Sequence, residues 1–488
     1  MISKFVREQK RYSYDNLRDI FECTSEKLVV IIRKLKEYGV LKSVKATNVQ
    51  SNMSDLINEE IEVSDVQVED NEHLYVFTFV GVIVVAGYIL KCYPKYINNN
   101  NAPVNELRKI IKVLEKYSST EQIIHMYNDS EESSSFNLLS VMIYLLNDYY
   151  ENGAYTNTQD IIEYNGMGEI LWDKTINETF TLLIDNRPYY TEILTRKKVM
   201  DDFDYFKRLH ECILSIITYE LRKSDILDLF EIMPVEISDE ELSDFGDNEY
   251  IKYRIENELN IQFNTRKQFV LKAIYAYITH NIKLSSTDGF SMFGTNSFNL
   301  VWERVCSEVI DNKLYNTLGT LKLPVTLNSI YKYNDTLISI IEKPMWIGKN
   351  IEGSTFNKIS KDTLIPDLIS IYDRDNMFGF IIFDAKYYMI QLESDKELRG
   401  QPGIADITKQ YLYQLAYKNF IDLHQINEVK NCFLLPTERK DVVDKGYVTM
   451  KMFDELGLQN IQLRQLPADK MYEYYINGDM MSISELNL

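Results

Sequence analysis

Two aspartates and a lysine in the last third of this chain have the types and spacing for metal-assisted hydrolysis. Residues 365–388 read IPDLISIYDRDNMFGFIIFDAKYY, two apolar β-rich runs joined by the turn-prone stretch DRDNMFG, and predict a hairpin. Asp367 falls near the start of the first run, and Asp384 and Lys386 fall at the end of the second. A side-chain period of two puts Asp384 and Lys386 on one face of their strand. Antiparallel pairing then brings Asp367 beside them. Carboxylates bind a hard cation, which polarises a phosphate and lowers the pKa of an attacking water. Asp367 and Asp384 are the expected metal ligands, with the backbone carbonyl of Ala385 added. Lys386 orients or helps deprotonate the water and balances developing negative charge. Mg²⁺ is the expected ion and Mn²⁺ its expected substitute. A buried strand ending FIIFDAK has little packing reason to carry an acid and a lysine, which favours chemistry over structure.

The flanking elements must hold these groups. Residues 298–312 (FNLVWERVCSEVIDN) form an amphipathic pattern carrying Glu303 beside Trp302, a candidate further metal ligand. Residues 404–420 (IADITKQYLYQLAYKNF) predict a second helix, and CFLLP from Cys432 a final strand. The order helix, strands, helix, strand resembles the PD-(D/E)xK nuclease core. In the second helix Gln410, Gln414 and Tyr417 lie four and three apart and project from one side. The RecB-like and McrC-like branches place a glutamine and a tyrosine there, which makes Gln414 and Tyr417 candidate catalytic residues. The spacing departs from Q-x-x-x-Y, so the choice between Gln410 and Gln414 stays open. Lys409 and Arg399 read as solvated side chains before phosphate contacts.

Upstream, residues 1–45 predict a helix-turn-helix or winged-helix-like segment. Apolar residues recur at helical spacing, Thr24 or Ser25 caps the second helix, and Gly39 closes it. Such modules pack against proteins as readily as they read DNA; here Lys27, Arg33, Lys34 and Lys36 are what the second helix offers to phosphates. Residues 46–120 predict a mixed α/β domain, opening with an acidic flank at 46–72. Residues 121–290 look mainly helical, with a Gly-rich bend at NGMGEILW and an exposed acidic loop at 236–250. Residues 291–488 form the nuclease domain. The expected fold class is α/β.

Composition narrows the functional classes. The chain has 488 residues, 45% hydrophobic and 26% charged, as in a soluble multidomain protein. Its five cysteines are scattered, with no C-x-x-C, which argues against a disulfide framework or zinc cluster and fits the cytoplasm. The N-terminus lacks a signal-peptide pattern. Residues 75–90 are uncharged but too short and too β-branched for a membrane span, and predict buried strands. The five histidines lack ligand spacing, and no phosphate-binding P-loop motif occurs, so a motor must be another protein. A net charge of −20 predicts weak intrinsic DNA affinity, with binding confined to a locally basic, metal-loaded cleft.

Taken together, FVGVIVVAGYILKCYPKYI, NGMGEILWDKTI, FNLVWERV, IPDLIS, FDAKYY and PGIADITKQYLYQLAY resemble the LlaJI restriction endonuclease family, itself similar to McrC, over residues 75–440. The resemblance implies a Mg²⁺-dependent nuclease subunit that cuts double-stranded DNA in restriction or anti-phage defence. It implies a separate McrB-like AAA+ GTPase as partner, with an NTPase-contact region in residues 46–120. Cutting both strands calls for two active sites, hence a homodimer or paired complexes. Two other readings stand beside it: a non-cutting subunit that assembles and activates a ring NTPase, and a stand-alone structure-specific or repair nuclease.

Overall fold

A computed structural model describes residues 2–45, 73–117, 138–200, 204–279, 289–351, 353–374 and 377–488. The expected acidic flank at 46–72 lies outside the described residues, as does the tip of the predicted hairpin at 375–376. The fold is mixed α/β. It divides into two compact units, residues 134–292 and a larger one made of residues 2–133 and 293–488.

The larger unit contains the predicted hairpin. Strands Leu368–Arg374 and Met377–Ala385 pair antiparallel, with Leu368 opposite Phe383. Met377–Ala385 then pairs parallel with Glu428–Thr437, which pairs parallel with Ile461–Pro467; Val443–Val448 closes the edge antiparallel. Strands buried on both faces read as continuous apolar runs, as FIIF and CFLL do. Phe380 and Ile382 meet Tyr413, Tyr417 and Phe420 of helix Ile404–Leu423 in one apolar cluster, so that helix covers one face of the sheet. Helix Phe298–Val309 is tied to the sheet by Trp302, whose indole N–H donates to the Leu434 carbonyl at 3.1 Å.

A second sheet has the order Ile2–Arg7, Tyr88–Tyr93, Val80–Val85, Phe290–Thr295; its first three strands belong to this unit, as do residues 293–295 of the fourth. The apolar stretch at 75–90 therefore forms buried strands, as its β-branching predicts, and among the described residues no helix is long and apolar enough to cross a membrane. Gly81 and Gly294, both at positive φ, lie against each other's strands; a Cβ on Gly81 would stand 2.0 Å from the Phe293 carbonyl oxygen, so neither tolerates a side chain. Near residue 1, helices Tyr14–Phe21 and Ser25–Glu37 precede a small sheet in which His73–Phe77 is flanked by Arg11–Tyr12 and Leu41–Lys45. Thr24 occupies the N-cap of the second helix and Gly39 takes φ +67° after it.

The smaller unit combines a helical part with a strand-rich part. Helices Leu138–Asn152, Tyr205–Arg222, Asn248–Ile261 and Thr265–Thr279 pack through faces rich in Leu and Ile, and Arg266 grips Asp148 through two nitrogens at 2.7 and 3.0 Å. Residues 158–200, however, are mainly strands, interrupted by the short helix Trp172–Glu178. Thr158–Tyr164 pairs antiparallel with Leu194–Met200, and Thr181–Ile184 forms a hairpin with Arg187–Tyr190. The turn between the latter strands is Asp185–Asn186, both at positive φ, a two-residue hairpin signal that the helical reading passed over. The strands are short, and Ile161, Tyr164, Leu183 and Ile184 stand exposed among charged residues, so no alternation of buried apolar and exposed polar residues announces them.

Candidate active site

The pairing of Leu368 with Phe383 continues one step to set Asp367 opposite Asp384. The Oδ2 of Asp367 accepts the backbone N–H of Ala385 at 2.7 Å, which pins the carboxylate across the end of the hairpin. Lys386 Nζ lies 2.9 Å from Asp384 Oδ2 and 3.0 Å from Asp406 Oδ1. The three residues expected to act together are together, and Asp406 joins them.

The electrostatics follow from the geometry. Burial, then the neighbouring charges of Asp384 and Glu303, push the Asp367 carboxyl up to about 8. Burial likewise raises Asp384, opposed by the Lys386 ammonium. Glu303 is raised by burial, with Lys386 pulling it down and Asp384 pushing it up, so it shares the field of the site. Lys386 feels the opposite balance: burial disfavours its charge, but Asp384 and Asp406 outweigh that and hold it protonated. Two carboxylates facing each other in a buried corner are an arrangement that a divalent cation relieves.

Among the described residues, no three His, Cys, Asp or Glu side chains converge on one point. Asp367 and Asp384 are therefore a two-carboxylate pair, with Glu303 outside it. That donor set fits a small hard cation, which keeps waters and takes one or two carboxylates plus substrate phosphate, rather than a thiolate- or imidazole-bound metal. The five cysteines are free thiols.

The glutamines and the tyrosine of the long helix are placed differently from the expectation. Helix Ile404–Leu423 begins beside the carboxylate–lysine cluster, where Asp406 meets Lys386, and runs down the strand away from it. Each turn recedes by about 5.4 Å. Gln410, one turn on, donates its amide to the Ile382 carbonyl at 2.8 Å, and its Oε1 has no partner among the described residues. Gln414 accepts from Asn431 at 2.7 Å and from the Gln459 N–H at 2.9 Å, and so joins the sheet to the following turn. Tyr417 stacks near Phe380 in the core and donates to the Leu337 carbonyl at 3.2 Å. Shared helical spacing shows which residues lie on one side of a helix; it does not show how far along the helix the site is. Asp406 was missed, although its signal is in PGIAD: a first-turn acid on a helix that follows DAK after a loop.

A second missed group comes from far away in sequence. Tyr387, next to Lys386, donates its hydroxyl to Glu8 at 2.5 Å. Glu8 is buried and also accepts the Lys95 backbone N–H at 3.1 Å, while the Lys95 ammonium sits 4.4 Å from the centre of the Tyr387 ring. Burial raises the Glu8 carboxyl, with Lys95 and the Tyr387 hydroxyl opposing.

With the site built, the comparisons with known proteins bear on it. The model of the LlaJI restriction endonuclease family matches residues 79–469, four-fifths of the chain and every residue of the carboxylate–lysine cluster. This chain belongs to the LlaJI restriction endonuclease family. A LlaJI-family chain is a component of restriction systems. One relative, the type II restriction enzyme BsuMI component YdjA of Bacillus subtilis (strain 168), is 27% identical over 427 residues, covering 86% of this chain and 84% of that protein. Two solved structures are also similar. One is a half-complex from the tetradecameric assembly of Thermococcus gammatolerans McrB AAA+ hexamers with bound McrC (TM-score 0.37, 11% identity, 97% of this chain and 99% of that one). The other is the McrBC complex from the same organism (TM-score 0.26, 11% identity, 62% and 86%). Glu8 and the helices before residue 38 lie outside the LlaJI-family match.

Proposed function

We propose that this chain is the DNA-cutting subunit of a restriction or anti-phage defence system, a Mg²⁺-dependent endonuclease of the PD-(D/E)xK type. The observation that carries the proposal is Asp367 set across from Asp384, with Lys386 2.9 Å from the latter, inside the family match. Asp367 and Asp384 hold the cation, with the Ala385 carbonyl as a further donor and Glu303 close enough to steer the ligand field. The cation supplies charge to the scissile phosphate and activates water. Lys386, held as an ammonium by Asp384 and Asp406, stabilises negative charge developing on the phosphate. That role replaces the alternative of proton abstraction, for which a lysine held protonated is unsuited. The strand order, with antiparallel hairpin followed by parallel strands and a helix across one face, supports the fold assignment.

The chain works with other subunits. Its relative carries the word component in its name, and the resemblance to McrC implies an AAA+ GTPase of the McrB type. The smaller unit supports a protein partner: Met167, Trp172, Phe180 and Leu183 are exposed large apolar residues within its strand-rich part, the kind of surface that partners cover. Plasmid cleavage in Mg²⁺ or Mn²⁺ by wild type and Asp384→Ala, each with and without the NTPase encoded beside it, tests the proposal. Cutting by wild type only, dependent on the NTPase, is the expected result. Intact plasmid in every mixture, with both proteins folded and GTP hydrolysed, points instead to a subunit that only activates the ring.

A further inference from the structure

The carboxylate–lysine cluster opens into a cleft of about 490 Å³, and the opposite wall of that cleft comes from the N-terminal part of the chain. One side is the end of strand Met377–Ala385 with the loop after it; the other includes Lys42 and Lys95. Four cations line it, Lys42, Lys95, Lys386 and Arg399, against two acids, Glu8 and Glu303. On a chain of net charge −20 such a local excess of positive charge runs against the general field.

Two of the cations are spoken for. Lys386 is held by its aspartates, and Lys95 lies against Tyr387 beside the buried Glu8. Lys42 and Arg399 are the outward pair. Lys42 is exposed on strand Leu41–Lys45, fixed opposite Val76 by the ladder to His73–Phe77. The wall behind it is anchored by the Gln9 N–H on the Phe77 carbonyl (2.8 Å) and the Thr78 N–H on the Val40 carbonyl (2.9 Å). Arg399 is held by a backbone bridge, the Gln391 N–H donating to its carbonyl at 2.8 Å. The next residue, Gly400, has φ +64°, and a Cβ there would stand 2.2 Å from the Met389 carbonyl oxygen, so this loop conformation requires glycine. The guanidinium pairs with Glu397 at 2.9 Å, with both side chains more than half exposed, a contact weak enough to be exchanged for phosphate.

We propose that this cleft seats the sugar–phosphate backbone of the DNA strand being cut, with Lys42 and Arg399 on phosphates flanking the one at Asp367, Asp384 and Lys386. The inference rests on the nuclease reading and adds what that reading lacks, the path of the strand and the part residues 1–45 play in it. The N-terminal segment meets DNA through the strand that carries Lys42. On its second helix, Lys27 and Lys36 lie against the Tyr88 and Tyr75 rings, 4.7 and 5.4 Å from their centres.

The test uses the full chain with its NTPase partner and a labelled DNA duplex, with Ca²⁺ in place of Mg²⁺ for binding and Mn²⁺ for cutting. Wild type, Lys42→Ala, Arg399→Ala, the double variant and Lys332→Ala, an exposed lysine outside the cleft, are compared across a salt series. Each cleft variant is expected to weaken binding roughly three- to tenfold and to lower the salt slope by about one, with larger losses in the double variant. Lys332→Ala should match wild type. If the cleft variants bind and cut as wild type does while Asp384→Ala abolishes cutting, the strand path is wrong and the nuclease reading stands. If wild type itself neither binds nor cuts, both fall.

Discussion

Asp367 faces Asp384 across the end of an antiparallel pair, and the N–H of Ala385, between Asp384 and Lys386, donates to the Asp367 carboxylate at 2.7 Å. One backbone hydrogen bond thus sets the relative position of the proposed metal ligands. Replacing Asp384 by Asn should reduce DNA cutting by at least a hundred- to a thousandfold, on the order expected for losing a principal electrostatic group. In EDTA the same variant should change stability little, because it relieves the charge crowding at Asp367 but takes one carboxylate from Lys386, which keeps Asp406. Cleavage assays and urea denaturation in parallel check both halves.

Asp406 has no ligand role in this arrangement; it orients Lys386. Asp406→Ala should lower the cutting rate at saturating DNA about tenfold while leaving DNA affinity close to that of wild type, whereas Lys386→Ala should cost at least a hundredfold. Equal losses in the two variants would show that Asp406 does more than hold the lysine.

Gln414 is expected to matter for stability rather than chemistry. Gln414→Ala strands the Asn431 side-chain N–H and the Gln459 backbone N–H, both partners of its oxygen. The loss should be about 1–3 kcal/mol by urea unfolding, with cutting per folded molecule retained. A folded Gln414→Ala protein that cannot cut would return this residue to the site.

Glu8 offers the sharpest stability test. Glu8→Ala leaves the Tyr387 hydroxyl without its acceptor and the part-buried Lys95 without its counter-charge, and should cost on the order of 3 kcal/mol. Glu8→Gln, which keeps an acceptor, should cost less, and Tyr387→Phe less again. Chemical denaturation of the three variants gives the order directly.

The smaller unit carries its own acid sensor. The Nδ1 of His210 accepts the Tyr155 N–H at 2.9 Å, while its Nε2 has no partner among the described residues. Burial holds its pKa down to about 4. The ring is therefore neutral in the fold but protonated in the unfolded chain below the ordinary value near 6.5. Stability is full above about 6.5 and falls as pH drops toward 4, by roughly 2–3 kcal/mol from this group. His210→Gln should flatten that dependence between pH 7 and 4.5 in thermal unfolding.

The hairpin and its acids were legible because their signals are local: alternation, a turn and two chemically costly residues in an apolar run. The buried strands at 75–90 were legible for the same reason, through β-branching and length. What was not legible depends on distance along an element or between elements. Gln414 and Tyr417 share a side with Gln410, yet only the direction in which their helix runs places them away from Asp384. The strands at 158–200 are short, expose apolar residues such as Leu183 and Ile184 and pair with each other, so no apolar–polar alternation betrays them. Glu8 carries no signal at all, being an ordinary acid at the end of a short strand until Tyr387 is folded against it.

That last contact joins residues 379 positions apart, and a separate unit of the chain is folded out between them. Closing such a loop is among the slowest steps available to a polypeptide. During synthesis the strand Met377–Ala385, which bears Asp384, is made long after Glu8 and before the strand Ile461–Pro467 of the same sheet. A ribosome-bound fragment therefore cannot assemble the wall and the acids together. For the DNA-cutting subunit proposed above, late assembly would keep unfinished copies from acting on the genome that encodes them.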